Sequence, residues 1–583
     1  MLNGGDHEMN SGYFIRLVKN YLLENKHRVH MELQPSETLE DDMIAQEAAK
    51  IKAFQGTLND DEFNAIKMRA QHLEDVQNTV DPPNVVDSIP SLTLEDIDTT
   101  GVEYNIDVME NAYGTSTMLT KNTADGNAGI VYVDVGIDIS SLAYTNVQML
   151  PFIISMLSES DTDFNSRATL DSLIGMHTGG IAIDLVLTPL YESGQEHYIA
   201  SNNKKMRSIL FFRGKCISEN TEKLLHLIKE VAENSLSVSQ QKAIQILERK
   251  ISSLEANLAS SGHSYSVVRM QARYNLQSFL SEELYGYSQL QFLKEILGKA
   301  KGNWDFFETR IANVIHSFNE MRSSATIINL TGDSNSLQNV DSTIETFIHS
   351  LKKDSSSPTL QNYGDADHPW MEKAAKDSAK VAAPIDEGIP ISSQVSYVGK
   401  GGIFFSEGEK ISGANCIPLQ YLKKGYLWET VRARNGAYGV SASLDQRDGT
   451  LYMVSYRDPN LSQTIEVYDN AGNYLSDELE KKTITKQTIK TAIIGCIGDI
   501  DGSALPPRQV GWLAFRRFLM GATRLRRQKW RDEILSAELS DFEQFSDRLK
   551  IWRINSTIAA IAPESALSTR TWPTVLKNAT ENS

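Results

Sequence analysis

The chain has 583 residues, with 57 basic and 75 acidic side chains and a net charge of −18. Its length exceeds one ordinary hydrophobic core and predicts about three or four domain-sized units. The acidic balance disfavours nucleic acid and favours cationic partners such as basic peptides. No apolar run approaches the ~20 residues that cross a bilayer, and the first residues have neither an apolar signal core nor an Arg-rich transit character.

The three cysteines are Cys216, Cys416 and Cys496. Each lies in an apolar-patterned segment, and none has the CxxC spacing of a metal or redox motif. The pattern predicts buried free thiols in a reducing compartment.

The first 97 residues contain helical patterns and one short alternating segment. A helical pattern around Phe14–Leu22 precedes a predicted strand in which Val29, Met31 and Leu33 alternate with polar residues. We interpret residues 1–35 as the remnant of a preceding domain. Two further helical patterns lie between Ser36 and Asn78; they break near Gly56 and restart at Asn59 and Glu62 with capping-box spacing. Residues 36–97 are therefore predicted to be a helical hairpin linker with an extended connection.

An α/β pattern begins after this linker and occurs twice. The first occurrence has predicted strands and helices listed here in chain order: strand 130–136, helices 147–157 and 166–176, strands 181–188 and 209–213, helical stretch 237–318, strand 325–330 and helix 340–351. A polar segment, 352–385, separates it from the second occurrence. That one comprises strand 395–398, helix 418–431, strands 438–443 and 451–455, helices 461–475 and 484–497, more helices, and strand 556–561.

The fold class is therefore predicted to be α/β (α+β), with two tandem domains at 98–355 and 356–583. The similar order of elements suggests a duplicated module, although the residue-level match between the two is weak.

A helix-to-strand corner between Tyr421 and Ser443 carries the candidate site. The apolar period before it is helical, and the alternation after it is that of a strand entered through Gly436. Arg432 and Tyr438 flank this corner. A guanidinium and a phenol placed there can hydrogen-bond an extended peptide or a developing oxyanion.

Five sequence blocks resemble the C-terminal half of a pitrilysin-type zinc metallopeptidase, in the presequence protease and falcilysin subfamily. The blocks are HRVHMELQPS at 27–36, DPPNVVDSIPSLTLEDI at 81–97, LEANLASSGHSYSVVRMQARY at 254–274, LWETVRARNGAYGVSAS at 427–443 and RRQKWRDEIL at 526–535. The resemblance implies four related α/β domains in the whole protein, two per half, with a helical hairpin joining the halves around a closed chamber.

The resemblance also implies where the metal is held. The family binds zinc through an HxxEH helix in its first domain, and the glutamate of that motif activates water. This chain contains no HxxEH. Its HxxH-like pair, His27 and His30, lies on a predicted strand that would point the two side chains to opposite faces. We therefore expect zinc in the full-length family enzyme and none bound by this chain.

Arg432 and Tyr438 match the family's RxxxxxY pair in the fourth domain. By resemblance, Tyr438 donates its hydroxyl to the tetrahedral oxyanion of the scissile amide, and Arg432 binds the substrate backbone. Asn435 stands where the family usually has the first glycine of a doublet before the strand. Because Asn tolerates positive φ, we expect the corner to form.

Other motifs have structural interpretations. The basic run from Arg516 to Arg531 has helical spacing and is predicted to be a solvated helix face rather than a nucleic-acid site. The sequence Ser261-Gly262-His263 is interpreted as a helix break that packs, not as a catalytic pair. The glycines at 399, 401 and 402 are predicted to form a turn, and Asp499 and Asp501 beside Gly502 to end a helix.

The sequence therefore predicts the C-terminal half of a zinc metalloendopeptidase that degrades unfolded oligopeptides such as cleaved targeting peptides. Its expected partners are peptides and a zinc-bearing half or partner chain, without nucleic acid or membrane. The alternative is a noncatalytic peptide-binding or scaffolding subunit of a heteromeric complex. A truncated gene model, a split enzyme and a noncatalytic paralogue all remain open, with truncation favoured. Mitochondrion or plastid is implied by the resemblance alone.

Overall fold

The computed structural model describes residues 12–576 and 579, apart from 35, 37, 80, 83–84, 86–87, 125, 127, 141, 143, 192–193, 195, 201–205, 235–238, 323–325, 352–384 and 503. The chain divides into two compact units, Met1–Ser91 and Leu92–Ser583. Within the described ranges, no helix is long and apolar enough to span a membrane. The predicted polar boundary at 352–385 lies almost wholly outside the described residues.

The first unit contains helices whose described side chains are almost all exposed. Helix α1 (Tyr13–Leu17) continues as a π-helix (Val18–Leu23), and α2 (Leu39–Thr57) and α3 (Asp60–Asn78) follow. At the start of α3, the Asn59 side chain accepts from the Glu62 amide at 2.9 Å and the Glu62 carboxylate accepts from the Asn59 amide at 3.0 Å. The predicted helices, their break and the capping box are confirmed. The predicted strand at 29–33 is wrong: this segment is exposed coil, because no described strand pairs with it.

The second unit begins with a sheet and its helices. The elements up to residue 351 are β1 (Asp107–Met109), β2 (Thr117–Thr123), β3 (Ile130–Asp138), α4 (Tyr144–Val147), α5 (Leu150–Glu159), α6 (Arg167–His177), β4 (Ile181–Pro189), β5 (Tyr198–Ile199), β6 (Met206–Ile217), α7 (Thr221–Ala232), α8 (Gln240–Gln271), α9 (Leu276–Tyr285), α10 (Tyr287–Gly302), α11 (Trp304–Arg322), β7 (Thr326–Gly332) and α12 (Ser334–Ser350). The long helical stretch predicted at 237–318 is thus a series of four helices.

The second part of this unit has its own sheet. Its elements are β8 (Glu387–Pro390), β9 (Tyr397–Ile403), β10 (Lys410–Ile411), α13 (Cys416–Leu422) continued by a π-helix (Lys423–Arg434), β11 (Gly439–Leu444), β12 (Thr450–Tyr456), α14 (Leu461–Glu480), α15 (Lys486–Asp501), α16 (Pro507–Met520), α17 (Arg524–Leu535), α18 (Leu539–Asn555), β13 (Thr557–Ala562), α19 (Glu564–Leu567) and β14 (Thr574–Val575). The predicted α/β class is confirmed.

Five strands of each six-stranded sheet have the same topology. Their strand orders are β1-β2-β7-β3-β6-β4 and β11-β12-β9-β13-β8-β14. Read from the opposite edge, the second order matches the first at five strands, with β8 equivalent to β2, β13 to β7, β9 to β3, β12 to β6 and β11 to β4. The outermost strands differ, since β1 is antiparallel to β2 and β14 is parallel to β8. In both sheets the pair β2–β7 or its counterpart β8–β13 is parallel, and the remaining matched pairs are antiparallel. The shared topology supports the duplicated module.

Each sheet is covered on one face by a helix from the other half of the unit. Helix α16 places Phe515 and Leu519 against Phe211 and Ile327 of the first sheet. Helix α8 lies on the second sheet, where Gly262 is so close to Tyr397 that an added Cβ would lie 2.3 Å from its ring. The long helix bends at Ser261 (φ −131°, ψ 28°), so the predicted break and packing role of this segment are confirmed.

The glycines at 399, 401 and 402 do not form the predicted turn; they lie inside strand β9. A Cβ on Gly399 would lie 2.3 Å from Ser266 Oγ, and one on Gly401 would lie 2.8 Å from Met270 Sδ. These glycines therefore let α8 approach the sheet closely, which local turn chemistry could not indicate. The Asp499–Gly502 segment ends α15 with Gly502 at φ +58°, as predicted.

The basic run is not a purely solvated helix face, because two of its arginines are buried. Arg531 donates to both carboxylate oxygens of Asp501 and to the backbone oxygen of Asp98. Arg526 donates to the Gly521 oxygen at 2.9 Å and lies over the Tyr191 ring. These arginines bind protein groups, so the predicted solvated face is wrong at both positions.

Candidate functional site

The candidate corner begins with a helix that is anchored by apolar residues. Leu427 and Val431 of the π-helix are buried in the core of the second module. The Asn435 amide donates to the Thr430 oxygen at 3.1 Å, which is the wide hydrogen-bond spacing of a π-helix. Gly436 then adopts φ +78° and its amide donates to the Arg432 oxygen at 3.0 Å. Asn435 keeps helical backbone angles, so Gly436 alone provides the positive φ that the turn requires.

Tyr438 lies immediately before β11, the edge strand of the second sheet. Its backbone amide donates to the Arg457 oxygen at 3.2 Å, and its ring meets the Tyr456 ring edge-on at 5.6 Å. The side chain is 67% exposed. Among the described residues, its hydroxyl has no hydrogen-bond partner. The phenol is therefore held at its base and free to donate at its tip.

Arg432 is half-buried and lies against an aromatic ring. Its guanidinium carbon is 3.9 Å from the centroid of the Trp428 ring, four residues earlier in the same helix. Within the described part of the chain, Arg432 forms no ion pair. The guanidinium thus has a fixed stacking partner while its hydrogen-bond donors remain available.

A tight turn on the neighbouring strand holds the corner in place. Arg457 adopts a left-handed conformation with φ +50°, which is uncommon for a residue with a side chain. The next residue, Asp458, is fully buried and accepts from the Asn460 amide at 2.8 Å and from Thr464 Oγ1 at 2.6 Å. Asn460 Nδ2 in turn donates to the Asn435 oxygen at 2.5 Å. The turn therefore links the Tyr438 strand directly to the end of the Arg432 helix.

Behind Tyr438, an aromatic group connects the corner to helix α8. The His263 ring lies 4.7 Å from Tyr456 and 6.2 Å from Tyr397, centroid to centroid. Burial lowers the pKa of His263. A neutral imidazole packs here without the cost of a buried charge, so this histidine supports the Tyr438 corner.

Sequence reasoning found Arg432 and Tyr438 but missed the residues that position them. Trp428 lies one turn before Arg432 on a helix, and this i, i+4 spacing could have revealed the stacked pair. Asp458 and Asn460 flank Pro459 in a turn-rich segment, which indicates a turn but not its long-range bond to Asn435. Tertiary contacts of this kind have no signal in local sequence.

The described residues do not fit a zinc site. They include no group of three or more His, Cys, Asp or Glu side chains that could hold a metal ion. His27 and His30 lie in exposed coil in the first unit. Cys216, Cys416 and Cys496 are free thiols, with Cys216 and Cys496 buried as predicted and Cys416 partly exposed.

The comparisons with known proteins identify the family of this chain. The family model for the peptidase-associated region of M16 subfamily C matches residues 33–296, and the "PreP C-terminal domain" model matches residues 386–564. Together they cover more than half of the chain. The chain therefore belongs to the pitrilysin-type (M16) peptidase family. Within it, the chain corresponds to the C-terminal half of the presequence protease branch.

Two curated relatives match nearly the whole chain. Presequence protease 1, chloroplastic/mitochondrial, of Arabidopsis thaliana is 28% identical over 95% of this chain and 48% of its own length. Protein HypA of Clostridium perfringens is 25% identical over 93% of this chain and 52% of its own length. The chain thus spans about half the length of the curated relatives that it matches.

One solved structure is similar to this chain in fold. A conserved protein from Enterococcus faecalis V583 aligns with a TM-score of 0.50 and 13% identity, over 77% of this chain and 97% of that one.

Proposed function

We propose that this chain acts as the C-terminal half of a zinc metalloendopeptidase that degrades unfolded oligopeptides, such as cleaved targeting peptides. In this proposal it supplies chamber wall, substrate contacts and the oxyanion donor, and the zinc ligands come from a segment outside this sequence. The carrying observation is the exposed side chain of Tyr438, whose hydroxyl has no hydrogen-bond partner among the described residues, at the same corner as the Arg432 guanidinium that stacks on Trp428.

Tyr438 is the proposed oxyanion donor. When water adds to a scissile amide, the carbonyl oxygen gains negative charge, and a hydroxyl directed at that oxygen stabilises the transition state more than the substrate. The Tyr438 backbone is bonded to Arg457 and its ring lies against Tyr456, so the donor is preorganised.

Arg432 is the proposed backbone ligand. Peptides of any sequence carry amide oxygens, and the forked donors of a guanidinium bind such oxygens with defined geometry. Because Trp428 fixes the guanidinium plane, less freedom is lost when a peptide binds.

The substrate class rests on charge and family. The net charge of −18 attracts basic peptides over long distances. Targeting peptides are basic, and the Arabidopsis thaliana relative is named a presequence protease of chloroplasts and mitochondria. A mitochondrial or plastid location is the corresponding proposal for this protein.

The test is reconstitution with a zinc-bearing half from the family. The purified chain is mixed with that half, and cleavage of a fluorogenic basic peptide is followed. We expect activity on mixing, and Tyr438→Phe to lower kcat about 10²- to 10³-fold. Tyr21→Phe is the matched control, because Tyr21 is 68% exposed and lies in the first unit. Failure to gain activity on mixing contradicts the enzymatic role and leaves a noncatalytic peptide-binding subunit.

A further inference from the structure

A cavity lies at the free edge of the first sheet, with a volume of about 540 Å³. Five consecutive residues of β4, Ile183–Leu187, line it. Side chains alternate between the two faces of a strand, so five consecutive residues reach one cavity only if the strand edge itself faces it. Among the described strands, β4 pairs only with β6. The cavity therefore offers the unpaired backbone groups of an edge strand.

One of these backbone groups already has a side-chain partner. Gln277 Nε2 donates to the Leu187 oxygen at 3.3 Å, at one end of the groove. In the duplicated topology, β4 is the counterpart of β11, the edge strand that follows Tyr438. The two modules thus place their open edges at equivalent positions, and a peptide could pair with either.

The cavity also contains a guanidinium without a counter-ion. Arg516 of α16 lines it, and its Nε atom is buried without a hydrogen-bond partner among the residues that the structure describes. No carboxylate in the described part of the chain forms an ion pair with Arg516. Burial, together with the nearby positive charges of Arg447 and Arg213, lowers the pKa of Arg516. A half-buried arginine whose Nε atom is shielded from water and which lies near two other arginines is costly unless an anion joins it.

The other charged groups of the cavity are less available, except for Lys250. Arg213 is neutralised by Asp134 at 2.8 Å and by Asp184 at 3.1 Å, and it stacks on Trp512 at 3.8 Å. Lys250 also lines the cavity and makes no ion pair with any described carboxylate. Arg516 and Lys250 are therefore the two cations that remain for a ligand, and Asp184 is already bound to Arg213.

We propose that this groove binds the C-terminal end of an extended peptide, with the peptide backbone paired to β4 and its terminal carboxylate on Arg516 and Lys250. The inference rests on the proposed function, because it takes peptides as the ligands. Edge-strand pairing supplies affinity that does not depend on peptide sequence. The carboxylate is the anion that Arg516 lacks.

The terminal carboxylate fits this site better than an acidic side chain does. Basic peptides attracted by the net charge carry few acidic side chains, yet each of them has one α-carboxylate. A site for that group would hold peptides of any sequence by a shared feature.

The test is a binding measurement with the full chain, without any cleavage. Two fluorescent basic peptides of identical sequence are compared by anisotropy, one with a free C-terminal carboxylate and one with a C-terminal amide. We expect the free acid to bind about tenfold to a hundredfold more tightly. Arg516→Gln and Lys250→Gln should reduce that preference, and Arg516→Gln should reduce it most.

A control variant separates this site from general effects. Arg508→Gln removes an exposed cation from the same helix outside the cavity and should keep the full preference. Because this test measures binding without cleavage, a failed reconstitution of peptidase activity leaves its result interpretable. Equal binding of acid and amide, or a preference that survives in Arg516→Gln, overturns the proposal. The proposal is also overturned if an amidated peptide that contains an internal glutamate binds as tightly as the peptide with a free C-terminal carboxylate.

Discussion

The guanidinium of Arg432 lies 3.9 Å from the centre of the Trp428 ring, and both residues belong to the π-helix that ends at the candidate corner. Trp428 is 40% exposed, so it is not needed to fill the core. Its ring instead restricts the rotamers of a long, flexible side chain that forms no ion pair within the described part of the chain. We therefore interpret the contact between Trp428 and Arg432 as one that positions the guanidinium rather than one that stabilises the fold.

Trp428→Leu should weaken peptide binding without unfolding the chain. Loss of the ring frees Arg432, which must then be ordered by the peptide itself, at a cost of about 0.5–1.5 kcal/mol. We expect KM in the reconstituted peptidase to rise about threefold to tenfold, kcat to change little and the melting temperature to stay within a few degrees. Phe164→Leu, which shortens another exposed aromatic side chain, should leave KM unchanged. A fall in kcat with constant KM would contradict the positioning role.

Asn460→Ala should instead lower kcat. Asn460 Nδ2 holds the Asn435 oxygen at the end of the helix, and the same turn holds the Tyr438 amide through Arg457. Loss of this bond costs about 1 kcal/mol of stability and loosens the phenol donor. We expect Asn460→Ala to lower kcat about tenfold. The same substitution made in the Tyr438→Phe variant should have a smaller effect, because the hydroxyl donor is already absent there. Asn473→Ala on the exposed face of α14 is the control, and additive losses in the double variant would exclude the proposed coupling.

The sequence predicted the elements well where periodicity was strong and local. The strands at 130–138 and 181–189 and the capped helix at Asn59 follow from alternation and from one capping box. The corner with Arg432 and Tyr438 also follows from a helical period that meets a strand at glycine. These features depend on residues that are close in the chain.

Features that depend on distant residues were not predictable in this way. Two glycines of β9, Gly399 and Gly401, are explained by α8, which contacts them from more than a hundred residues away, and Gly402 by the close backbone of Asn555 and Ser556. Strand β2 was missed because its residues Thr117–Thr123 mix polar and apolar side chains without clean alternation, although its first four residues are buried between neighbours. The burial of Arg531 requires Asp501 and the Asp98 carbonyl, which no pattern around Arg531 contains.

Glu387→Gln should strongly destabilise the second unit. Glu387 accepts from Arg269 at 2.9 and 3.2 Å and pairs with Arg273 at 2.9 Å, and all three side chains are largely buried. With a neutral amide at this position, Arg269 keeps only Glu282 as a carboxylate partner, and Arg273 keeps none among the described residues. Leaving these largely buried cations without their partner costs about 3–5 kcal/mol. We expect a clear drop in the thermal unfolding midpoint.

The matched control for Glu387 is an exposed ion pair. Glu295 pairs with Lys299 one helical turn away and is mostly exposed to solvent. Glu295→Gln should change the free energy of unfolding by less than about 0.5 kcal/mol. If the two variants melt at the same temperature, the buried network does not stabilise the junction of α8 with β8.

Asp448 should make the stability of the second unit fall as pH rises towards neutrality. Burial and the nearby charge of Asp445 raise the pKa of Asp448 to about 7. Its carboxylate oxygens accept from Asn275 Nδ2 at 2.7 Å and from the Thr450 amide at 2.8 Å. An aspartate in the unfolded chain has a pKa of about 3.9. Between these two values the folded state holds a proton that the unfolded state has released.

Because the folded state binds more protons in this window, its contribution to stability is greatest below about pH 4 and declines as pH rises to about 7. The steepest slope for one such group is about 1.4 kcal/mol per pH unit. Asp448→Asn lowers stability at every pH, because its amide group would face the Asn275 amide donor. The variant also loses the pH dependence of the free energy of unfolding that Asp448 contributes. We therefore expect the difference in the free energy of unfolding between wild type and variant, measured by urea unfolding, to become smaller from pH 4.5 to pH 7. The exposed Asp547→Asn variant should run parallel to wild type, and an Asp448→Asn curve that does the same would contradict the raised pKa.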